Sequence, residues 1–394
     1  MILDILSSAG DLRQPASCIV KIDNKASTWL YPYIESVDVT NKRQGTGTAK
    51  IICKSIVGPD GAWEVTDNDK VEENKPISIE VKFGPQSTLP LFTGKIQKIT
   101  PNFSSMSDEI TVTIDCQDLS IDLDRQHKRV SWQEDEKMSD TRFLKEALKQ
   151  NKSLTSKSLK LHRDTDDGEM PFPKNSNETN INFILKRAKE NAYDCYIIDD
   201  ELYFGPPRLK SSPSPEKKIY VRAGRLTNTT NFQIKHDPHV ADEVEFVVLN
   251  DKGTDIEVIT LKSKFTQLGT ISSKRKKSNS SKNKWAAKTN STPTKAKVQA
   301  LNQAKINQES FNITATGKLD GSLFGDVLHV GRTISVVGAG LSYDGIHYVD
   351  AVTHNFTSAG YIQNFALIRN GLGPGRGETL GSPISKLSKI MGGF

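Results

Sequence analysis

Over long stretches of this chain apolar positions alternate with polar ones, which is the period of a half-buried β-strand. Between residues 17 and 118, the segments 18–22, 33–40, 48–54, 77–83, 91–103 and 109–116 are rich in Val, Ile, Thr and aromatic residues. Turn residues punctuate them, so each predicts a strand. A long connection, 56–73, carries the turn signal Gly58-Pro-Asp-Gly61. The period changes after Arg129. Phe143, Leu144, Ala147 and Leu148 form one apolar stripe behind the helix start Ser139-Asp140-Thr141, and Ile181, Ile184, Leu185 and Ala188 form another across 180–192. A strand–turn–strand follows at 195–199 and 201–205, bending at Asp199-Asp200. Alternation then resumes at 232–234, 243–249 and 255–261; a helix is expected over 295–308, and strands return from 311 to 368.

Two stretches far apart in the chain share one order of features. The first is a strand over 76–83, a corner at Gly84-Pro85, Phe92-Thr93-Gly94 leading a strand that ends in Phe103, then a strand over 108–115. The second runs from Arg332 to Val337, turns at Gly338-Ala-Gly340 and again at Asp344-Gly345, continues over 346–356 to end in Phe356, and closes with a strand over 361–368. This repetition predicts two β blocks, and closing each into a small barrel would remove its unpaired edges. The expected architecture is therefore mainly β (α+β). A first barrel occupies 1–118, and a small α/β insert with a Pro/Ser/Lys linker occupies 119–226. A second barrel over 227–372 is interrupted by a basic, flexible excursion at 262–297, and 373–394 forms a tail.

Composition narrows the class. Of 394 residues, 36% are hydrophobic and 25% charged, as in a soluble globular chain with more than one domain. No run approaches the roughly 18 apolar residues of a membrane span, and Met1-Ile-Leu-Asp lacks the basic start of a signal peptide, so synthesis in a cytoplasm is expected. Cys18, Cys53, Cys116 and Cys195 lie far apart with no C-x-x-C pair, which argues against a zinc site or a disulfide scaffold. The net charge of +6 is local: between Val258 and Gln308 there are twelve Lys or Arg and no Asp or Glu, so the remainder is acidic.

Few residue patterns carry chemistry. Gly338-Ala-Gly340 lacks the third glycine and following helix of a dinucleotide fingerprint and reads as a strand corner. His236-Asp-Pro-His239 is too short and Pro-broken for a convincing metal site, and Asp164-Thr-Asp-Asp-Gly-Glu169 lacks the distant Glu of a calcium loop and reads as a solvated acidic loop. His354 alternates with Val352 in a strand, which places it in a barrel wall or interface. No catalytic residues, cofactor or metal ligands are assigned. The basic segment Lys274, Arg275, Lys276, Lys277, Lys282 and Lys284, with Trp285 nearby, would suit nucleic acid, although a solvated loop or a strap on an acidic partner is the plainer reading. In the tail, Ile384, Leu387, Ile390, Met391 and Phe394 fall close to one face of a short helix, a candidate docking segment.

Several short motifs resemble the phage late control protein D family, which includes the hub proteins of contractile tails and the hub part of VgrG. They are Val330-Gly331-Arg332, Gly338-Ala-Gly340, Tyr343-Asp-Gly345, Tyr348-Val349, Val352-Thr-His354 and Gly360-Tyr361. Trp63, Phe92-Thr-Gly94, Asp118-Leu-Ser120 and Leu123-Asp124-Arg125 agree, as does the helix and hairpin over 180–205; the likeness covers roughly 15–372. It implies tube-like barrels and a non-enzymatic homotrimer that adapts a sixfold tail tube to a threefold spike. The implied partners are itself, a tube or tube-initiator protein, the central spike, baseplate wedge proteins and the tape measure protein. The implied location is a virion or injection particle assembled in a bacterial cytoplasm. VgrG chains continue into an OB-fold and a needle, which this sequence does not show, so the spike is expected on a separate chain. Two rival readings are a tail-associated cell-wall hydrolase and a nucleic-acid-binding protein using the Lys-rich segment.

Overall fold

A computed structural model describes residues 14–104, 109–124, 139–150, 159–167, 178–213, 217–241, 243–249, 256–273, 284–286 and 295–374. The first block contains β1 (Ala16–Ile22), β2 (Lys25–Ala26), β3 (Ile34–Lys42), β4 (Thr48–Ile56), β5 (Pro76–Phe83), β6 (Thr88–Asn102) and β7 (Glu109–Asp118). A four-residue helix, α1 (Ile121–Asp124), leads into the insert: α2 (Asp140–Gln150), β8 (Lys160–Leu161), α3 (Asn180–Asn191), β9 (Asp194–Ile198) and β10 (Glu201–Gly205). The second block contains β11 (Lys218–Tyr220), β12 (Thr229–His236), β13 (Glu243–Leu249), β14 (Ile256–Leu261), β15 (Ile271–Ser272) and β16 (Lys284–Ala286). It continues with α4 (Lys295–Glu309), β17 (Ile313–Asp320), α5 (Gly321–Phe324), β18 (Thr333–Val337), β19 (Gly345–Thr357), β20 (Gly360–Arg369) and β21 (Gly371–Leu372).

The chain is mainly β, with two tandem barrel-like blocks and a small α/β insert, and a single 13-stranded sheet curls through both blocks. In the first block the pairing order is β3-β4-β7-β6-β5-β1; in the second it is β12-β17-β20-β19-β18-β11. Matching β1, β3, β4, β5, β6 and β7 to β11, β12, β17, β18, β19 and β20 makes every pairing correspond. The correspondence extends to irregularities. β3 bulges between Ile34 and Ser36 where β12 bulges between Thr229 and Asn231, and β6 bulges between Ile96 and Lys98 where β19 bulges between Val349 and Ala351. A bulge costs a ladder bond and reorients a strand, so two at matching positions indicate one shared template. Aligned on them, Ile99-Thr-Pro-Asn-Phe103 falls on Val352-Thr-His-Asn-Phe356. One pairing differs in sense, since β1 meets β5 antiparallel and β11 meets β18 parallel.

Alternation explains the layering. Along β4, Ala49, Ile51 and Cys53 point into the core while Thr48, Lys50 and Lys54 face outward. The first core gathers Val37, Ile51, Ile79, Val81, Phe83 and Ile114; the second gathers Ala315, Leu319, Ile334, Val336, Phe365 and Leu367. The outward face of the long sheet is polar, with Asp38, Thr40, Lys50, Thr353 and Asn364 on one surface. Gly94 sits where β6 passes so close to Gln117 and Asp118 that a Cβ would collide with backbone. Gly338 and Gly340 both take positive φ (91° and 94°), which makes the Gly-Ala-Gly stretch a corner after β18.

The insert has its own core, in which Phe143, Leu144 and Ala147 of α2 meet Ile181, Ile184 and Ala188 of α3. Thr179 caps α3 by accepting the Asn182 N–H, and Ala192 closes it in the left-handed conformation. Arg187, only 2% exposed, donates to both Asp140 carboxylate oxygens (2.7 and 2.9 Å) and to Glu190 (2.8 Å), so its buried charge is compensated. The two blocks differ most at one hairpin. β3 and β4 are joined by 43–47, whereas the equivalent β12 and β17 are separated by 237–312, which builds the three-stranded sheet β14-β13-β16 under α4. β11 lies at 218–220, starting at the last residue of the linker expected over 206–218, and β16 lies inside the stretch expected to be a flexible excursion. No described helix is long and apolar enough to cross a membrane.

Candidate assembly seam

The blocks meet where β19 crosses from one to the other. Its first half pairs with β18; its second half pairs with β3 of the first block, in antiparallel register Ala351↔Lys42, Thr353↔Thr40, Asn355↔Asp38 and Thr357↔Ser36. On the polar face the Thr353 and Thr40 hydroxyls lie 3.0 Å apart, and the Asn355 amide donates to Asp38. On the core face Phe356 and Tyr361 stack 4.2 Å apart and pack into the first block's core, with Tyr361 also 6.0 Å from Phe83. The seam is therefore a continuous ladder with an aromatic plug, a form of β-augmentation within one chain.

One end of the seam is tied to the insert by a buried ionic cluster. Arg43 donates to Asp194 (2.7 Å) and to Asp350 (2.9 Å), while Tyr348 donates its hydroxyl to the other Asp194 oxygen (2.5 Å). Burial pushes Asp194 up to about 6, with Arg43 and the Tyr348 hydroxyl pulling the other way. Burial works against the Arg43 charge, but the two carboxylates outweigh it and hold its pKa above the usual value. The Arg43 carbonyl also accepts the Cys195 N–H (2.9 Å), and Gln44 donates to the Tyr193 carbonyl (2.6 Å). Arg43, Asp350 and Asp194 lie too far apart in sequence for periodicity to connect them.

One buried charged residue closes the last strand of each block. Asp118, fully enclosed and pushed up to about 6 by burial, accepts the Gly47 N–H (2.5 Å) and the Ser120 N–H (3.0 Å). Arg369, at the equivalent register position, donates to the carbonyls of Tyr343 (3.1 Å), Asp344 (3.0 Å) and Gly373.

The histidines and acids singled out in the sequence fall into structural settings. His354 is buried with Nδ1 2.8 Å from the Tyr361 hydroxyl, and burial pushes its pKa down to about 3, so it is a neutral ring in the seam wall. The His236 Nε2 meets the Ser273 carbonyl (2.7 Å), while the His239 N–H is held by Asp237 in a turn. Among the described residues no group of three His, Cys, Asp or Glu could hold a metal ion. Asp167 of the acidic loop accepts the Thr141 N–H (2.7 Å) at the start of α2, so that end of the loop caps a helix. Of the basic segment, only Lys284 lies on a described element, the backbone of β16; Lys274, Arg275, Lys276, Lys277 and Lys282 lie outside the described residues. Ile384, Leu387, Ile390, Met391 and Phe394 lie outside them too.

A family model, the Alg8 N-terminal domain, matches residues 16–358, which include the first block, the insert and the second block as far as the end of β19. The chain belongs to the Alg8 N-terminal domain family. This Alg8 N-terminal domain fold is similar to a crystal structure of the 43 kDa tail protein of prophage MuSo2 from Shewanella oneidensis, at TM-score 0.64 and 11% identity, over 90% of this chain and 98% of that one. The tail protein of Neisseria meningitidis MC58 is similar at TM-score 0.58 and 14% identity, over 91% and 98%. A Francisella PdpA-VgrG complex is similar at TM-score 0.55 and 12% identity, over 94% of this chain and 56% of that one. At these identities the likeness is one of fold: the Alg8 N-terminal domain shares the fold of these tail proteins. No curated protein matches the chain in sequence.

Proposed function

We propose that this chain is a non-enzymatic hub of a contractile phage tail or a related injection particle, acting as a homotrimer that adapts a sixfold tube to a threefold spike. The observation that carries the reading is the fused pair of blocks. One strand order occurs twice and is joined edge to edge, so three chains would supply six like units while keeping only threefold identity. The fold shared with tail proteins and with part of a VgrG complex, and the motifs that resemble late control protein D, support the same reading. In this role the chain meets a tube or tube-initiator protein on one rim and a spike on the other, with wedge and tape measure proteins near by. The segment bearing Ile384, Leu387, Ile390, Met391 and Phe394 is the proposed spike contact.

The mass of the full-length chain in solution tests the reading. Light scattering should return three times the 43.6 kDa chain, and a monomer at all concentrations would overturn it. Purified cell wall should show no loss of turbidity with the chain, because work done through geometry needs no catalytic group. Removing the residues after 374 should leave the trimer intact and abolish co-purification with the spike protein.

A further inference from the structure

The wall of the first block is interrupted between β1 and β3. The Pro15 carbonyl accepts the Gly84 N–H (2.9 Å) and the Asp23 N–H donates to the Pro76 carbonyl (3.0 Å), so the odd positions of β1 bond to β5 and the even ones face away. Of these, Val20 accepts the Ser27 N–H (2.9 Å), and Ile22 lies opposite Lys25 of β2. The N–H and C=O of Cys18 have no partner on that side among the described residues. They border a cleft of about 530 Å3 lined by Cys18, Val20, Tyr31, Tyr33, Val37 and Phe356. Val20, Val37 and Phe356 belong to the first core, so the cleft opens into it. The second block fills the counterpart place from within. There the Asn228 side chain accepts the Tyr220 N–H (2.8 Å) and donates to the Lys218 carbonyl (2.9 Å), imitating a strand beside β11.

We propose that residues 2–6 of the same chain add a strand to the β1 edge and carry Leu3 and Ile5 into the cleft, closing the first block. Three observations favour this occupant. The segment Ile2-Leu-Asp-Ile-Leu6 places Leu3 and Ile5 on one face of a strand and Asp4 on the other, so an apolar face meets an apolar cleft. The chain also enters beside that cleft. The Gln14 N–H donates to the Ser322 carbonyl (2.9 Å), and Gly321 next to it lies against the Tyr361 ring, which stacks on Phe356 of the cleft wall. Finally, the lengths fit. Cys18 is four strand residues from Gln14, about 13 Å, whereas the nine residues back to Ile5 reach about 30 Å. Residues 7–13, which include the turn-forming Ser7-Ser-Ala-Gly-Asp11, supply the return loop, and closing so short a loop costs little entropy. An added strand satisfies backbone groups while its side chains supply specificity. This inference goes beyond the hub reading and is independent of the trimer.

The natural Cys18 thiol is the reporter in the full-length chain, since Cys53, Cys116 and Cys195 are buried. Burial pushes Cys18 up to about 12, so it reacts slowly unless a second thiol is held beside it. Leu3→Cys, Asp4→Cys and Ile5→Cys are made singly and oxidised mildly. Leu3→Cys or Ile5→Cys should form a disulfide with Cys18 inside one chain, read as a faster band on a denaturing non-reducing gel and as a Cys18-linked peptide by mass. Asp4→Cys, on the opposite face, should give at least about tenfold less, and Cys18→Ser should abolish the product. Leu3→Asp with Ile5→Asp should lower the melting temperature by several degrees and speed alkylation of Cys18 at least about tenfold. Three variants that cross-link equally, or none that does, would overturn the proposal. A Cys18 disulfide that appears only as a covalent dimer would also overturn it, because the strand would then come from a second copy. Each of these results leaves the mass in solution, and with it the hub reading, to be judged separately.

Discussion

In the first block the last strand ends on a buried acid, Asp118; in the second it ends, at the same register position, on a buried base, Arg369. Asp118 receives backbone N–H groups from Gly47 and Ser120, whereas Arg369 gives N–H groups to the carbonyls of Tyr343, Asp344 and Gly373. Both clamp the loops beyond the sheet, from opposite sides of the hydrogen bond. Packing follows the same logic. Ile51 opposite Ile114 in the first core becomes Gly317 opposite Phe365 in the second. Cross-strand volume is redistributed while the ladder stays fixed, so the template is held by register and bulges, and side-chain chemistry varies around it.

The aromatic plug offers the sharpest way to break this equivalence. Phe356→Ala should lower unfolding stability by about 3–5 kcal/mol, because it empties a site shared by both blocks. Phe103→Ala should cost under about 1 kcal/mol, because its ring is largely exposed. Chemical denaturation of the two variants measures the difference, and equal losses would mean that the positions are not counterparts. Arg369→Met should cost about 3 kcal/mol, since three enclosed carbonyls lose a charged donor.

At the level of packing, Gly317→Ala should cost about 1–3 kcal/mol, because the added methyl meets the Phe365 ring and the Asn231 carbonyl. A double variant with Phe365→Leu should recover part of that loss, read as a rise in melting temperature over the single variant. The two clamps also separate by pH. Asp118 is raised to about 6 from an ordinary value near 4, so between those values the folded chain holds a proton that the unfolded chain has released. Stability therefore falls as pH rises through that window, by at most about 1.4 kcal/mol per unit from this group. Asp118→Asn should remove this group's share of the slope, read as the difference from the unsubstituted chain in urea titrations from pH 4 to 6.

The strands of both blocks and the two insert helices were legible because each carries a full alternation or stripe, as in 48–54 or 180–192. Several short strands were not, and two of them show why. β11 is three residues in a Pro/Lys-rich context and owes its state to parallel pairing with β18, while β16 sits in a Lys/Ser/Asn stretch and pairs with β13. Period alone says which residues are strand-like and which face they bury; it does not say which edges meet. The fusion of β19 with β3 and the Arg43–Asp194 tie, which joins residues 151 positions apart, were therefore invisible locally. One signal was available: the recurrence of Ile99-Thr-Pro-Asn-Phe103 as Val352-Thr-His-Asn-Phe356, which marks equivalent strands and with them equivalent edges.

The tight hairpin 43–47 and its overgrown counterpart 237–312 open toward the same rim of the sheet, the rim that also carries the insert and the exit of the chain after β21. The opposite rim carries crossover connections of closer length in the two blocks, 57–75 after β4 in one and 321–332 after β17 in the other. In a ring of such chains that rim would look more alike from block to block, while the ornamented rim would differ between alternate blocks. A partner that rotates by one block would find the same footing on the first and a mismatch on the second. The two faces would thus present different symmetries from one polypeptide, with the length of a single hairpin setting which face counts blocks and which counts chains.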